Sequence, residues 1–216
     1  MIGCPALLGA AGKLRPRRIV ACLIGLGMAI FACAISADTI EPETPEETIQ
    51  MMTDNVLAYI EWDREGLEKD RARLDALIAE QVLPNFEFKY ASRLVLGKHW
   101  KTATAEQREA FAEAFAIYLV RVYGDALLQV NRDTLTVLDA VDAPDGVKAT
   151  VKSRIVMTDG TVVPVDFRMV QIQGYWKIWD VIARGVSYVR TYRADFGVVI
   201  ANDGIDYLSE FLRTPK

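Results

Sequence analysis

Few residues in this chain have the types and spacing that carry chemistry. His99, in the run Leu96-Gly97-Lys98-His99-Trp100, is the only histidine. A Ser-His-Asp triad or an imidazole-based metal site would have to recruit it. Beside Trp100, at a helix-to-loop junction, it reads as a polar junction residue. There is no glycine-rich phosphate loop, no GxSxG and no HExxH. Asp180 is the odd residue, because it sits between Ile178 and Ile182 on what reads as the apolar face of a strand. Burying a lone carboxylate costs several kcal/mol, so it needs a partner. Arg184 and Arg190 are the candidates for an ion pair, with Arg168 and Arg193 close by in sequence. The chemical alternative is a general base in a pocket. Gly185 and Ser187 read as a turn and a helix cap rather than a nucleophile. Structural roles are therefore expected for Asp180, Gly185 and Ser187, with no catalytic set, no metal site and no cofactor. Arg184 and Arg190 also have the chemistry to meet a phosphate at a rim.

The first 37 residues differ from the rest. Lys13, Arg15, Arg17 and Arg18 precede the apolar run Ile19 to Ala37, which ends in small residues. That order reads as a secretory signal peptide, cut after Ala34, Ser36 or, preferred, Ala37. A retained membrane anchor is the competing reading, since the run is nearly long enough to span. Lipidation at Cys33 fits less well, because Phe31 is bulky. All three cysteines, Cys4, Cys22 and Cys33, lie in this leader. Its removal leaves no disulfide, thiolate nucleophile or cysteine-bound metal. Residues 38–216 are long enough for one domain with its own core. They hold 21 basic against 29 acidic residues, a net charge of −8. That balance argues against nucleic acid or an anionic membrane surface as partner.

The elements that must position these residues read as helices, then a sheet, then helices. Thr44-Pro45-Glu46-Glu47 is a capping box opening a helix with Ile49, Met52, Val56, Tyr59 and Ile60 on one side. A charged helix follows, from Arg64 to Gln81, stopped by Pro84. Phe86, Tyr90, Leu94 and Val95 mark another, ended by Gly97. Thr104 to Gln107 is a second capping box, opening a long aromatic helix through Tyr123 and Leu127. From Thr134 the period changes to two. The Thr158-Asp159-Gly160 hairpin sets Ile155 opposite Val163, Val151 opposite Phe167 and Lys152 opposite Asp166. A two-residue turn at Gln173-Gly174 puts Trp176, Ile178, Asp180 and Ile182 on the inner face, with Lys177, Trp179 and Val181 outside. Two short helices, capped by Ser187 and Asp203, close the chain. The fold class is α+β, with helices packed on one face of a curved antiparallel sheet.

A sheet–helix gap of this kind is lined from both sides. The strands offer Val151, Ile155, Val165, Phe167, Met169, Trp176, Ile178 and Ile182. The helices offer Tyr90, Leu94, Phe111, Phe115, Tyr118, Leu119 and Tyr192. These side chains either fill a core or line a cavity for an apolar ligand.

Two stretches resemble the MlaC family of periplasmic phospholipid-binding proteins, also known as toluene-tolerance proteins. In Val82 to Leu127 the likeness rests on Leu96-Gly97, Trp100, Thr104, Gln107, Phe111, Phe115 and Tyr123. In Gly174 to Leu212 it rests on Trp176, Ile178, Asp180-Val181, Gly185, Ser187, Tyr192-Arg193, Phe196 and Gly204. The resemblance implies a nuclear-transport-factor-like cone with an apolar cavity and a periplasmic shuttle, monomeric and not an enzyme. It implies phospholipid as cargo and two partners: an outer-membrane lipoprotein complex and an inner-membrane ABC transporter complex. A carrier of another apolar lipid such as a hopanoid, or a small pocket enzyme using Asp180, are the alternatives.

Overall fold

The computed structural model describes residues 44–130, 135–157 and 160–214. The leader and its cleavage point lie outside them. Helix α1, Pro45–Lys69, starts as expected: the Thr44 side chain accepts from the Glu47 amide, and Glu47 reaches back to the Thr44 amide. The charged helix expected over Arg64 to Gln81 is instead broken. α1 kinks at Asp63 (φ −134°, ψ 33°) and ends at Asp70. The Asp70 carboxylate accepts from the Ala72 and Arg73 amides and so starts α2, Arg71–Leu77. An aspartate that captures the next turn's amides favours a new N-terminus over a continuous helix. A π-helical turn, Ile78–Val82, and a 3-10 turn, Leu83–Asn85, complete the connection.

Helix α3, Phe88–Leu96, begins two residues later than its apolar pattern suggests. Phe86 bridges Ile178 in parallel, and the Glu87 amide donates to the Ile178 carbonyl at 2.8 Å. These two residues are used as a strand edge before the helix starts. Helix α4, Ala105–Leu127, carries the second capping box, Thr104 with Gln107.

Five antiparallel strands follow in sequential order: β1 Leu135–Asp142, β2 Lys148–Val156, β3 Val162–Ile172, β4 Tyr175–Ala183 and β5 Val186–Ser187. The β2–β3 pairing sets Ile155 opposite Val163, Val151 opposite Phe167 and Lys152 opposite Asp166, the register read from the sequence. Gln173 and Gly174, at φ 52° and 90°, make the tight turn into β4 and pair Ile172 with Tyr175. A bulge then intervenes: Met169 faces Ile178, but Arg168 faces Asp180, leaving Trp179 as the extra residue. The inner-face assignment of Asp180 and Ile182 is therefore corrected. Beyond the bulge Val181 pairs with inward Phe167 and Ala183 with inward Val165, while Asp180 and Ile182 fall on the side of Arg168 and Asp166.

Gly185 does not simply interrupt the strand. Arg184 and Gly185 both have positive φ (52° and 78°) and form a tight hairpin turn. It folds β5 back onto Ile182 and Ala183. Helix α5, Tyr188–Arg213, starts at once and breaks only at Gly204 (φ 90°, ψ 169°). The two short C-terminal helices read from the sequence are its two arms.

Three apolar cores result among the described residues. One joins α3, α4 and α5 around Phe111, Phe115, Tyr192 and Phe196. The second lies between the sheet and Ile49 and Met52 of α1. The third packs α1, α2 and the π turn around Ile60, Leu67 and Leu74. No helix among the described residues is long and apolar enough to cross a membrane.

Candidate functional site: the sheet face under helix α1

Asp180 has a fully buried side chain. Its Oδ2 accepts from the Ser187 hydroxyl at 2.6 Å and its Oδ1 from the Val189 amide at 3.0 Å. Arg168, across the β3–β4 ladder, donates to Oδ2 at 3.4 Å, and its guanidinium also lies 5.6 Å from the Trp179 ring. Ser187 in turn accepts from the Arg190 amide at 3.1 Å. Asp180 and Ser187 together cap the first turn of α5, where a negative group also opposes the positive end of the helix dipole. The partner is Arg168 rather than Arg184 or Arg190, which are exposed. Both carboxylate oxygens are thus committed to donors, which suits a strut and not a general base. His99 lies in the 3-10 turn Gly97–Lys101. Among the described residues there is no cluster of three or more potential metal-ligating side chains.

The apolar candidates separate into two groups. Val151, Val165, Phe167, Met169, Trp176 and Ile178 are buried together on the inner sheet face, with Ile155 partly buried against them. Ser153 sits among them and satisfies its hydroxyl by donating to the Val165 carbonyl at 2.5 Å. Phe111, Phe115 and Tyr192 are not opposite this face. They form the helical core instead, with Leu94, Tyr118 and Leu119 packed around it. Phe115 and Tyr192 meet edge to face at 5.3 Å, and the Tyr192 hydroxyl lies 2.9 Å from that of Tyr123. Burial pushes the Tyr192 phenol far above its ordinary pKa, and the bond to Tyr123 adds to the shift. The reason for the split is that α4 and α5 have aromatic stripes that satisfy one another. Tyr90 stacks edge-on to Trp179 at 5.6 Å, and Ile182 is half-buried in the β4–β5 hairpin, so both stand outside the two groups.

What covers the sheet is α1. Ile49 is fully buried against it, and Met52 and Phe86 pack alongside. Residue spacing had marked Ile49 and Met52 as one face of a helix. Nothing local announced which surface that face would meet.

At the edge of this interface lies a half-open pocket of about 180 Å³. Helix α1 contributes Thr48, Met51, Met52 and Asn55; the π and 3-10 turns contribute Glu80, Gln81 and Asn85. Tyr175, Trp176 and Lys177 close it from the start of β4. Met52 and Trp176 belong both to the pocket and to the sheet core, so the pocket's floor continues into the apolar interface. The Lys177 ammonium donates to the Pro84 carbonyl at 2.8 Å, which ties β4 to the 3-10 turn. The polar residues of this pocket carried no sequence signal, because each is an ordinary surface type in its own element.

Comparison with known proteins adds to this geometry. A toluene tolerance protein, ttg2D, of Pseudomonas putida is 30% identical over 183 residues, spanning 83% of this chain and 84% of its own. The intermembrane phospholipid transport system binding protein MlaC of Haemophilus influenzae is 24% identical over 187 residues, 85% of this chain and 87% of its own. Among solved structures, a phospholipid-binding protein from Ralstonia solanacearum in complex with a phospholipid superposes with a TM-score of 0.70 at 27% identity. That match covers 77% of this chain and 93% of the other. The family model described as MlaC protein matches residues 50–214, and the chain belongs to the MlaC family.

Proposed function

We propose that this protein is a phospholipid carrier of the periplasm, exported by its leader and acting without catalysis. The acyl chains lie between α1 and the inner sheet face, and the lipid passes between an outer-membrane lipoprotein complex and an inner-membrane ABC transporter complex. The observation that carries this reading is the sheet face itself. Seven strand residues, Val151, Ile155, Val165, Phe167, Met169, Trp176 and Ile178, make a continuous apolar surface under one helix, with an open pocket at its edge. The phospholipid held by the Ralstonia solanacearum neighbour and the transport role in the Haemophilus influenzae relative's name support the same cargo.

The pocket's 180 Å³ falls below the roughly 300–1,000 Å³ of sites for small ligands. Loading therefore requires α1 to lift from the sheet, exchanging protein contacts for acyl contacts. Each buried methylene is worth about 0.8 kcal/mol, so two chains of roughly thirty methylenes stand more than ~20 kcal/mol above the bilayer when exposed. Partner complexes that shield the chains during transfer remove that barrier.

The test is direct. Protein purified from the periplasm should release about one phospholipid per chain on solvent extraction, quantified by mass spectrometry. Val165→Trp, which fills the α1–sheet interface, should lower the lipid content at least threefold in a folded protein. Phe115→Leu, in the helical core, should lower the melting temperature and leave lipid content unchanged. A triterpenoid in the extract replaces phospholipid with a hopanoid-type cargo, and an empty extract from folded wild-type protein removes the carrier reading.

A further inference from the structure

The pocket at the edge of α1 holds one carboxylate and one ammonium that do not neutralise each other. Glu80 projects from the π turn and Lys177 from β4, and no ion pair joins them among the described residues. Asn55 and Gln81 stand beside them, with no side-chain hydrogen bond among the described residues. These polar groups line the pocket together with Met52 and Trp176, which also belong to the apolar core under the helix. A polar lining that continues into an apolar core matches an amphiphile, with its polar end at the lining and its chains along the core.

From the signs of the two charges we infer that the pocket selects zwitterionic phospholipid, with a primary ammonium held at Glu80 and the phosphate at Lys177. This rests on the carrier reading and specifies its head group. A primary ammonium brings three donors and no acceptor, and Glu80 with the amide oxygens of Asn55 and Gln81 supplies acceptors. A charge-assisted contact between ammonium and carboxylate is stronger than a contact between neutral groups. A glycerol head group keeps the phosphate's negative charge and has no cation to set against Glu80. It gains the Lys177 contact and meets a like charge at the other end of the pocket.

The experiment uses the full mature chain, stripped of lipid and incubated with vesicles of equimolar phosphatidylethanolamine and phosphatidylglycerol. The protein is re-isolated, and both lipids are quantified by mass spectrometry. Wild type should take up the ethanolamine lipid with about three- to fivefold preference, the selectivity of one partly exposed charge contact. Glu80→Gln should bring the ratio close to one by lowering uptake of the ethanolamine lipid, and Glu80→Lys should reverse it. Glu80 is exposed, so these variants should melt with wild type. Lys177→Gln should lower uptake of both lipids, because both carry the phosphate. Equal uptake by wild type, or a ratio that ignores Glu80, overturns the selectivity while leaving the carrier reading in place. Absence of both lipids from folded wild-type protein overturns the carrier reading and the selectivity with it.

Discussion

Asp180 sends one oxygen to Ser187 and the other to the Val189 amide, so a single carboxylate joins the end of β4 to the start of α5. Asp180→Ala leaves a buried amide and a buried hydroxyl without their acceptor. Chemical denaturation should register a loss of about 2–6 kcal/mol, since each of the two orphaned groups costs about 1–3 kcal/mol. Asp180→Asn retains an acceptor and should lose about half of that. A wild-type melting curve for the alanine variant would show that the cap carries no stability. The sequence exposed Asp180 as a carboxylate needing partners. It did not reveal which, because Arg168 becomes its neighbour only through the bulge, while Arg184 and Arg190 are nearer in sequence. Tyr192 makes a second residue-scale case. Its folded pKa is raised above the unfolded value, which is about 10 for tyrosine. The neutral phenol is thus favoured in the folded state. Its contribution is fully present below about pH 10 and is lost as pH climbs beyond it. Denaturant melts across that range should show stability falling in wild type, with a shallower alkaline decline in Tyr192→Phe.

Among the elements, β4 repays the closest reading. Its first half obeys the register set by the Gln173-Gly174 turn, and its second half is shifted by the extra residue Trp179. Alternation alone cannot reveal a bulge, because the residues on either side remain strand formers. The two capping boxes, the β2–β3 register and the turn residues were legible because each is fixed by local chemistry within four or five positions. The break at Asp70 and the docking of α1 were not, since they depend on competition among amides and on surfaces distant in sequence. Deleting Trp179 tests the bulge. The ladder would then run on unbroken, with Asp180 still opposite Arg168 and Val181 still opposite Phe167. The deletion should therefore leave a native-like circular-dichroism spectrum and lose mainly the packing of the Trp179 ring on Tyr90 and Arg168. Trp179→Leu keeps the residue count and should lose a similar amount. An unfolded deletion variant beside a folded Trp179→Leu would mean that the register of β4 depends on the extra residue.

At the scale of the molecule, three cores share the work, and no cysteine lies in any of them. A mature chain that starts near Asp38 should therefore melt at the same temperature with and without a thiol reductant. N-terminal sequencing of periplasmic material should read Asp38. A reductant-sensitive melt would point to retained leader cysteines. The α+β class and the sheet–helix packing were legible from periodicity. The division of the aromatic inventory into separate cores was not, because a stripe of phenylalanines reads the same whether it faces a sheet or another helix.

The sheet is a meander in which every strand pairs with its sequence neighbour. Such contacts have low contact order and form early in folding, since only short loops must close. Helix α1 is different. It reaches β1 and β2 across about 90 residues of chain, so its docking closes a long loop and is expected after the meander has formed. Contacts that close so long a loop are a natural place for sub-global opening. The order in which this protein folds thus becomes the order in which it opens: the helix that arrives last is the one that can leave without unfolding the rest. Hydrogen exchange of the lipid-free chain should show the amides of α1 exchanging faster than those of β2, β3 and β4, with added phospholipid slowing α1 first.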